Sequence, residues 1–217
     1  MPADAPGAIE RAVEILASGQ PIVFPTDTVY GVGAHALLPR AVARLFSVKQ
    51  RPSGLAVPLL ISDAACMHDV CLDIPPVAWD LAESFWPGAL SLILHRAPIL
   101  PDVVTAGGPT VAVRVPDHAL VRTICRCLGA PLAATSANLH GLPDAVTAQD
   151  ACAYLKGRVP LILDGGRSRG GAASTLLDLT VAPPTIRRRG PITEEQIAAL
   201  VGVVGRWGVP GGEIAIR

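Results

Sequence analysis

Aromatic residues and net charge are both scarce in this chain of 217 residues. Phe, Trp and Tyr make up 4% of it, while half of all residues are hydrophobic, so the core must consist mainly of aliphatic side chains. Eighteen basic residues balance 18 acidic ones, which leaves no overall field to attract nucleic acid or an anionic membrane. No apolar run reaches membrane-spanning length, and no secretion signal is recognisable. We therefore expect a cytoplasmic globular protein.

Cysteine and histidine also lack the patterns of a metal site or a disulfide framework. The five cysteines include no C-x-x-C pair, and their number is odd. They are best explained as small buried hydrophobic residues. The five histidines are scattered without ligand spacing. No protein-held metal site is predicted.

Helix and strand patterns alternate from one end of the chain to the other. Helices are predicted over 9–18, from 39 to 49, over 76–85, 118–128 and 147–156, and from 193; strands are predicted over 22–24, 57–61, 90–94, 110–115, 132–134, 159–163, 175–179 and 185–188. This alternation predicts a single α/β domain over residues 1–217, built on one large twisted sheet with flanking helices. The core spans about residues 9–200, and the Gly-rich tail 202–217 has no predicted structure.

Two short motifs carry the groups that proteins use to hold a triphosphate. Lys49-Gln50-Arg51 ends the second predicted helix, and Ser136-Ala137-Asn138 follows a predicted strand. A guanidinium grips phosphate oxygens at two points, whereas an ammonium acts as a compact point charge. Cations at a helix C-terminus are also favoured by the helix dipole alone. Pro52 directly after the first motif indicates a loop, which favours the ligand-binding interpretation.

The segment Pro25–Gly31 follows the first predicted strand, at a position where open α/β sheets commonly bind ligands. Its two threonine hydroxyls, including that of Thr28, and the carboxylate of Asp27 have the chemistry to hold a small polar substrate. The same residue types also form ordinary turns by accepting local backbone hydrogen bonds. Both interpretations are compatible with the sequence.

Arg114 stands out because it ends an otherwise apolar strand. The segment Thr110–Arg114 alternates with period two, which puts Thr110, Ala112 and Arg114 on one face. A guanidinium in such a setting needs an anionic partner. An internal carboxylate and a substrate carboxylate or phosphate both satisfy that requirement.

Further polar groups lie at the ends of later strands. Asp164-Gly165-Gly166 ends one strand, Ser174 begins the next, and Arg188 ends the last. Arg188 belongs to Arg187–Arg189, the dense basic patch of the chain. We expect these groups to lie near the earlier motifs.

Taken together, these motifs resemble the YrdC/TsaC family of threonylcarbamoyl-AMP synthases over about residues 9–200. The resemblance rests on eight motifs in order: Pro-Thr-Asp-Thr-Val-Tyr-Gly at 25–31, Lys-x-Arg-Pro at 49–52, Trp-Pro-Gly at 86–88, Thr-Val-Ala-Val-Arg at 110–114, Ser-Ala-Asn at 136–138, Asp-Gly-Gly at 164–166, Ser-Thr at 174–175 and Arg-x-Gly at 188–190. It implies a twisted mixed sheet with a large, concave, basic cleft, in the short form without a further C-terminal domain.

The resemblance also implies a reaction and a set of site residues. L-threonine, bicarbonate and ATP would condense to threonylcarbamoyl-AMP and pyrophosphate. Transferase partners would then pass the threonylcarbamoyl group to the tRNA adenosine beside the anticodon. The residues that the resemblance implies for binding ATP are Lys49, Arg51, Thr110, Ser136, Asn138 and Arg188. Those implied for binding threonine are Thr28, Arg114 and Ser174. The implied catalytic residues are Lys49, Arg51, Ser136 and Asn138.

Catalysis in such a site needs no protein nucleophile, since the carbamate of threonine attacks the α-phosphorus. The chain agrees, because it shows no Ser/His/Asp or Cys/His arrangement. Positioning and charge neutralisation would supply the rate. Mg²⁺ is expected on the ATP phosphates, held mostly by ATP and water.

This chain departs from the family pattern at a few positions. Five residues instead of three separate Pro52 from Pro58, and Ser62 stands where the family has a histidine near threonine. After Ser-Ala-Asn the chain has His140-Gly141 and then Asp144, where the family favours serines near ATP. An acid at that place requires magnesium or a shifted contact.

Two other functions remain open. One is a non-catalytic module for double-stranded RNA or tRNA, which the zero net charge disfavours. The other is a related carbamoyl-adenylating enzyme, which would keep the ATP residues but not need Thr28, Arg114 and Ser174. Weak tRNA or double-stranded RNA binding is compatible with the enzyme as well.

Overall fold

The structure, a computed structural model, describes residues 1–50, 54–139, 141–170 and 172–206. Its helices are α1 (Ala8–Ala17), α2 (Pro39–Lys49), α3 (Met67–Val70), α4 (Pro76–Phe85), α5 (Asp102–Thr105), α6 (Ala119–Leu128), α7 (Ala148–Leu155) and α8 (Glu194–Val201), with a 3₁₀ turn at Ala64–Cys66. Its strands are β1 (Ile22–Phe24), β2 (Gly31–His35), β3 (Leu59–Leu60), β4 (Cys71–Leu72), β5 (Leu90–Arg96), β6 (Thr110–Arg114), β7 (Leu132–Ser136), β8 (Thr175–Asp178), β9 (Thr185–Arg188) and β10 (Gly205–Arg206).

These strands join in one mixed sheet. Nine of them follow the order β1-β2-β7-β3-β6-β5-β8-β9-β10, and β4 pairs with β5 outside that path. The contacts β3–β6, β5–β8 and β9–β10 are parallel, and the others are antiparallel. The predicted α/β class, with a mixed sheet and flanking helices, is confirmed.

Helices cover the two faces of the sheet unequally. Side chains of successive strand residues point to opposite faces, and β3 shows this, since Leu59 joins one core cluster and Leu60 the other. The larger cluster packs α2, α4 and α8 against one face. The smaller one packs α1 and α6 against the other face. Part of that second face stays free of helices and borders a cavity.

Several strands differ from the sequence prediction, which did not include the two-residue strands β4 and β10. The strand β2 was not predicted, because Gly31 and Gly33 weaken the strand pattern. Both glycines are needed there, since the ring of Phe24 lies 2.9 Å from where each Cβ would stand. The strand predicted over 159–163 is wrong, because within that segment only Ile162 forms a β-bridge, an isolated one with Val23.

Some predictions fall on residues that the structure does not describe. Arg51 of the Lys-x-Arg motif, His140 and the tail from 207 onward lie outside the described residues. The helix before Arg51 ends as predicted, with Lys49 its last residue and Gln50 as a left-handed cap at φ 53°. Among the described helices, none has both the length and the apolar character needed to cross a bilayer.

Candidate functional site

A cavity of about 300 Å³ opens on the sheet face that α1 and α6 leave partly bare. Strands from both halves of the sheet contribute to its wall. It is lined by Thr26, Thr28, Val29, Gly31, Pro58, Leu60, Ser91, Ala112, Arg114, Ala134, Thr135, Ser136, Asp144, Ala173, Ser174, Leu176 and Arg188. The wall therefore combines two guanidinium groups and several hydroxyls with small apolar side chains. Such a lining suits a ligand that carries both anionic and apolar parts.

Arg114 is held rigidly in the cavity wall. Its Nη2 donates to both carboxylate oxygens of Asp27 at 2.6 Å, and its Nε donates to the carbonyl oxygen of Gly88 at 2.8 Å. Its Nη1 donates to Oγ1 of Thr28 at 3.1 Å. Burial lowers the pKa of Arg114, and the Asp27 charge opposes that shift. The internal carboxylate left open by the sequence is thus present, while a substrate carboxylate as a second partner stays a prediction.

The turn after β1 sets the position of Thr28. Oγ1 of Thr26 accepts hydrogen bonds from the backbone N–H groups of Thr28 and Val29 and donates to the carbonyl of Val29 at 2.6 Å. This is the ordinary threonine turn that the sequence also allowed. The turn points the Thr28 side chain at Arg114, so the structural role and a role in ligand binding coexist.

Arg188 is held on the opposite side of the cavity by the start of β8. Its Nε donates to the carbonyl of Ser174 at 3.0 Å, and its Nη2 donates to Oγ of the same serine at 3.1 Å. The hydroxyls of Ser174 and Ser91 lie 2.8 Å apart. Gly190 permits this approach, because a Cβ there would stand 2.6 Å from the carbonyl oxygen of Ala173.

The positive charges of Arg114 and Arg188 repel each other across the cavity. Burial lowers the pKa of Arg188, the charge of Arg114 lowers it further, and the charge of Asp144 opposes both. Two guanidinium groups in one partly desolvated cavity create a field that favours an anionic ligand.

Lys49 reaches the cavity wall from behind. The side chain is buried, and Nζ donates to the backbone carbonyl of Ser136, to Oδ1 of Asn138 at 3.3 Å and to Oγ1 of Thr135 at 3.4 Å. Oδ1 of Asn138 also accepts from Oγ of Ser136 at 2.5 Å, and its Nδ2 donates to the carbonyl of Leu142. The two sequence motifs therefore meet, and Asn138 joins Lys49 to the loop that follows β7.

A fourth segment, residues 165–170, packs against the segment that carries Asp27, Thr28 and Tyr30. The hydroxyl of Tyr30, a fully buried residue, donates to the carbonyl of Gly166 at 2.6 Å and accepts from the N–H of Gly165. Further along, the N–H of Gly170 donates to the carbonyl of Asp27 at 3.0 Å. A Cβ at Gly170 would stand 2.8 Å from that same oxygen. The close approach thus requires glycine.

Comparison with protein families identifies the lineage of this site. Residues 14–190 match the model of the Sua5/YciO/YrdC family, which carries the description "Telomere recombination". The chain belongs to the Sua5/YciO/YrdC family. The resemblance drawn from its motifs is therefore confirmed.

Named relatives of this family are similar over most of the chain. It is 37% identical over 90% of its length to the threonylcarbamoyl-AMP synthase of Pyrococcus abyssi. It is 41% identical, again over 90%, to the putative threonylcarbamoyl-AMP synthase of Mycobacterium tuberculosis strain H37Rv. The match covers 58% of the first protein and 89% of the second. The chain thus spans less than two thirds of the length of the Pyrococcus relative.

Solved structures agree with the assignment to the family. The crystal structure of Pyrococcus abyssi Sua5 complexed with L-threonine superposes with a TM-score of 0.90 at 36% identity, covering 92% of this chain and 59% of that one. A full-length HypF structure in a phosphate- and nucleotide-bound form gives a TM-score of 0.73 at 18% identity, covering 83% and 28%. At that identity the likeness shows a shared fold alone.

Within this Sua5/YciO/YrdC chain, most of the predicted site residues come together. Thr28, Arg114, Ser136, Ser174 and Arg188 line the cavity, and Lys49 and Asn138 bond to Ser136 directly behind it. Their proposed roles in binding stay predictions.

Two other residues lie elsewhere. Thr110 pairs with His95 at the opposite end of β6 from Arg114 and lines a small pocket that shares Ala112 with the cavity. Its role in binding ATP, which the resemblance implies, stays a prediction. Ser62 bonds to Asp63 and lies beside Cys66, in a groove away from the cavity. The sequence left open whether Ser62 replaces the family's histidine near threonine; Ser62 follows the end of β3 and is not among the residues that line this cavity.

Sequence reasoning missed two contributors to the site. Ser91 is a lone hydroxyl in the apolar strand β5, and it meets Ser174 because β5 and β8 pair in parallel. Asp27 was recognised only as part of a polar turn, not as the partner of Arg114. A single hydroxyl in a buried strand is the signal that would have pointed to Ser91.

Proposed function

We propose that this chain is an L-threonylcarbamoyladenylate synthase, a nucleotidyltransferase that forms threonylcarbamoyl-AMP and pyrophosphate from L-threonine, bicarbonate and ATP. One observation carries the proposal: Arg114, Arg188 and the hydroxyls of Thr28, Ser136 and Ser174 converge on one cavity. The names of the relatives support it, as does the L-threonine in the complex of Pyrococcus abyssi Sua5.

The threonine half of the cavity would lie at Arg114. Its guanidinium is already oriented by Asp27 and Gly88, so the carboxylate of an amino acid would meet a prearranged partner. Thr28 and Ser174 offer hydroxyls to the polar groups of the substrate. The threonine amine, in its neutral form, reacts with bicarbonate to give a carbamate and water.

The nucleotide half would lie between Arg188 and Ser136, with Lys49 behind. The carbamate oxygen attacks the α-phosphorus, and the bond to pyrophosphate breaks as the new P–O bond forms. Arg188 and Lys49 would neutralise charge that develops on the phosphate oxygens. Asn138 would act as a positioning residue, since its amide oxygen accepts from both Lys49 and Ser136.

Magnesium would enter with ATP. Among the described residues, no three His, Cys, Asp or Glu side chains gather as a ligand set for a cation. We therefore propose that Mg²⁺ is bound chiefly through the substrate phosphates and water. When bound, the ion would shield the phosphate charge during attack.

The product suits a reaction in which partner transferases pass the threonylcarbamoyl group to the tRNA adenosine beside the anticodon. Weak binding of tRNA or double-stranded RNA at the same cationic surface is part of this proposal, and so is a cytoplasmic location. RNA binding of this kind would weaken steeply with salt, and ATP would compete with it.

A pyrophosphate-release assay tests the proposal. Pyrophosphate should appear only when ATP, L-threonine and bicarbonate are all present, and mass spectrometry should find threonylcarbamoyl-AMP. Serine and carbamoyl phosphate serve as replacement substrates, the latter to reveal a carbamoyl-adenylating enzyme. Pyrophosphate formation that is indifferent to threonine would remove the assignment.

A further inference from the structure

Asp144 brings a negative charge into a cavity whose other charged lining residues are arginines. Among the described lining residues it is the one carboxylate, and it shares the wall with Arg114, Arg188 and Ser136. It does not form a salt bridge with any described basic residue, although its charge is felt at Arg188. The carboxylate is therefore available to a ligand.

The loop that carries Asp144 is anchored on both sides. Before it, the carbonyl of Leu142 accepts a hydrogen bond from the side-chain amide of Asn138. After it, the carbonyl of Ala145 accepts from the N–H of Tyr30 at 2.8 Å, and Ala145 is fully buried. These contacts fix the backbone beside Asp144, whose exposed side chain lines the cavity together with Ser136 and Arg188, near the place proposed for the phosphates.

A carboxylate in that place treats two forms of ATP differently. Metal-free ATP is more negative than its magnesium complex, so a nearby carboxylate repels it more strongly. Mg²⁺ accepts carboxylate oxygens together with substrate phosphates, which turns the same group into a favourable neighbour of the complex. Arg188 acts in the opposite sense, because a cation attracts the more negative metal-free form more strongly.

We propose that Asp144 is a selectivity residue, which makes the cavity accept ATP together with its divalent cation and reject the metal-free nucleotide. The inference rests on the proposed function, since it takes ATP as the ligand. It adds a role for a side chain that departs from the serine favoured at this place in the family.

Equilibrium binding of ATP tests the inference without turnover. Isothermal titration would be run with excess MgCl₂ and, separately, with EDTA, at one ionic strength kept constant with KCl. The wild-type chain should bind the magnesium complex much more tightly than metal-free ATP. Asp144→Asn should reduce that preference about tenfold, because one repulsive charge is removed. Asp144→Ser should reduce the preference for the magnesium complex by a similar factor. This second variant excludes an effect that is specific to the asparagine side chain.

The matched control is Asp80→Asn, which removes the same charge from an exposed position on α4. It should leave the preference unchanged. If both Asp144 variants retain the wild-type preference, the inference is overturned while the proposed function stands. If the wild-type chain binds ATP in neither condition, the inference and the proposed function both fail.

Discussion

Arg114 and Asp27 form a buried ion pair in the wall of the cavity, with Nη2 of the arginine 2.6 Å from both carboxylate oxygens. Their side chains are 7% and 15% exposed. The pair orients the guanidinium before any ligand arrives, and its net charge is zero. A substrate carboxylate at Arg114 would therefore bind beside Asp27 and depend on Arg188, the other arginine among the described lining residues.

Replacing Arg114 tests its role in binding threonine. Arg114→Ala should raise the KM for threonine about tenfold to a hundredfold, because a charge-assisted hydrogen bond is lost. It should also lower the free energy of unfolding by about 3 kcal/mol, since Asp27 is left buried without its partner. Arg114→Lys should fold better yet still bind threonine weakly, because lysine lacks the planar fork. Initial-rate kinetics and urea unfolding measure the two effects.

The pair of Arg187 and Asp178 offers a matched control. Nε and Nη2 of Arg187 lie 2.9 and 2.7 Å from Oδ2 of Asp178, and neither residue lines the cavity. Arg187→Ala should lower stability in a similar way and leave the KM for threonine unchanged. An equal rise of KM in both variants would mean that Arg114 acts only through stability.

Lys49 should be essential for turnover. Lys49→Ala removes the ammonium that bonds to Ser136 and Asn138, so kcat should fall about a hundredfold or more. The other lysine, Lys156, is exposed and follows α7, and Lys156→Ala should retain full activity. The ATP-dependent release of pyrophosphate measures both variants. Near-normal turnover in Lys49→Ala would contradict the proposed nucleotide half of the cavity.

Gly190 should not tolerate a side chain. Gly190→Ala would push a Cβ against the backbone of Ala173 and Ser174, where the nearest atoms have no flexible end to move. We expect a loss of stability of about 1–3 kcal/mol from this overpacking. Gly54→Ala is the control, because no heavy atom in the described part of the chain lies within 4 Å of the Cβ it would add. Urea unfolding would show whether the two variants differ as expected.

His118 should make the fold sensitive to acid. Burial lowers its pKa below the ordinary 6.5; Asp27 and Asp117 oppose the shift, and Arg122 and Arg169 add to it. The unfolded chain therefore binds the proton more readily. The stability due to neutral His118 is fully present above pH 6.5 and is lost as the pH falls below it, with a slope of at most about 1.4 kcal/mol per pH unit.

Thermal and urea unfolding between pH 8 and pH 5 would measure this dependence. His118→Gln should flatten the profile, although His35, whose pKa burial also lowers, keeps part of the slope. The matched variant for comparison is His95→Gln, which makes the same replacement at an exposed position. Identical slopes in His118→Gln and the wild-type chain would refute the assignment to His118.

The sequence predicted the class of fold and most of the site because motifs and local periodicity are local properties. The helices α7 and α8 begin where they were predicted, next to their capping residues Thr147 and Thr193. What it could not supply is the pairing of distant strands. The contact between Ser91 and Ser174 depends on the parallel pairing of β5 with β8, and the position of Thr110 depends on which end of β6 faces the cavity. Both are set by the global packing of the sheet.

The order of strands in the sheet has a consequence for dissection of the molecule. Arg114 lies on β6 near its centre, Ser136 ends β7 on one side, and Arg188 ends β9 on the other. A fragment cut after residue 140 keeps Arg114 and Ser136 and loses Arg188, and it separates Ser91 from its partner Ser174. Neither fragment would contain the complete cavity wall. Each fragment alone should therefore fail to bind the ligand, and binding should return only when the two fragments are combined.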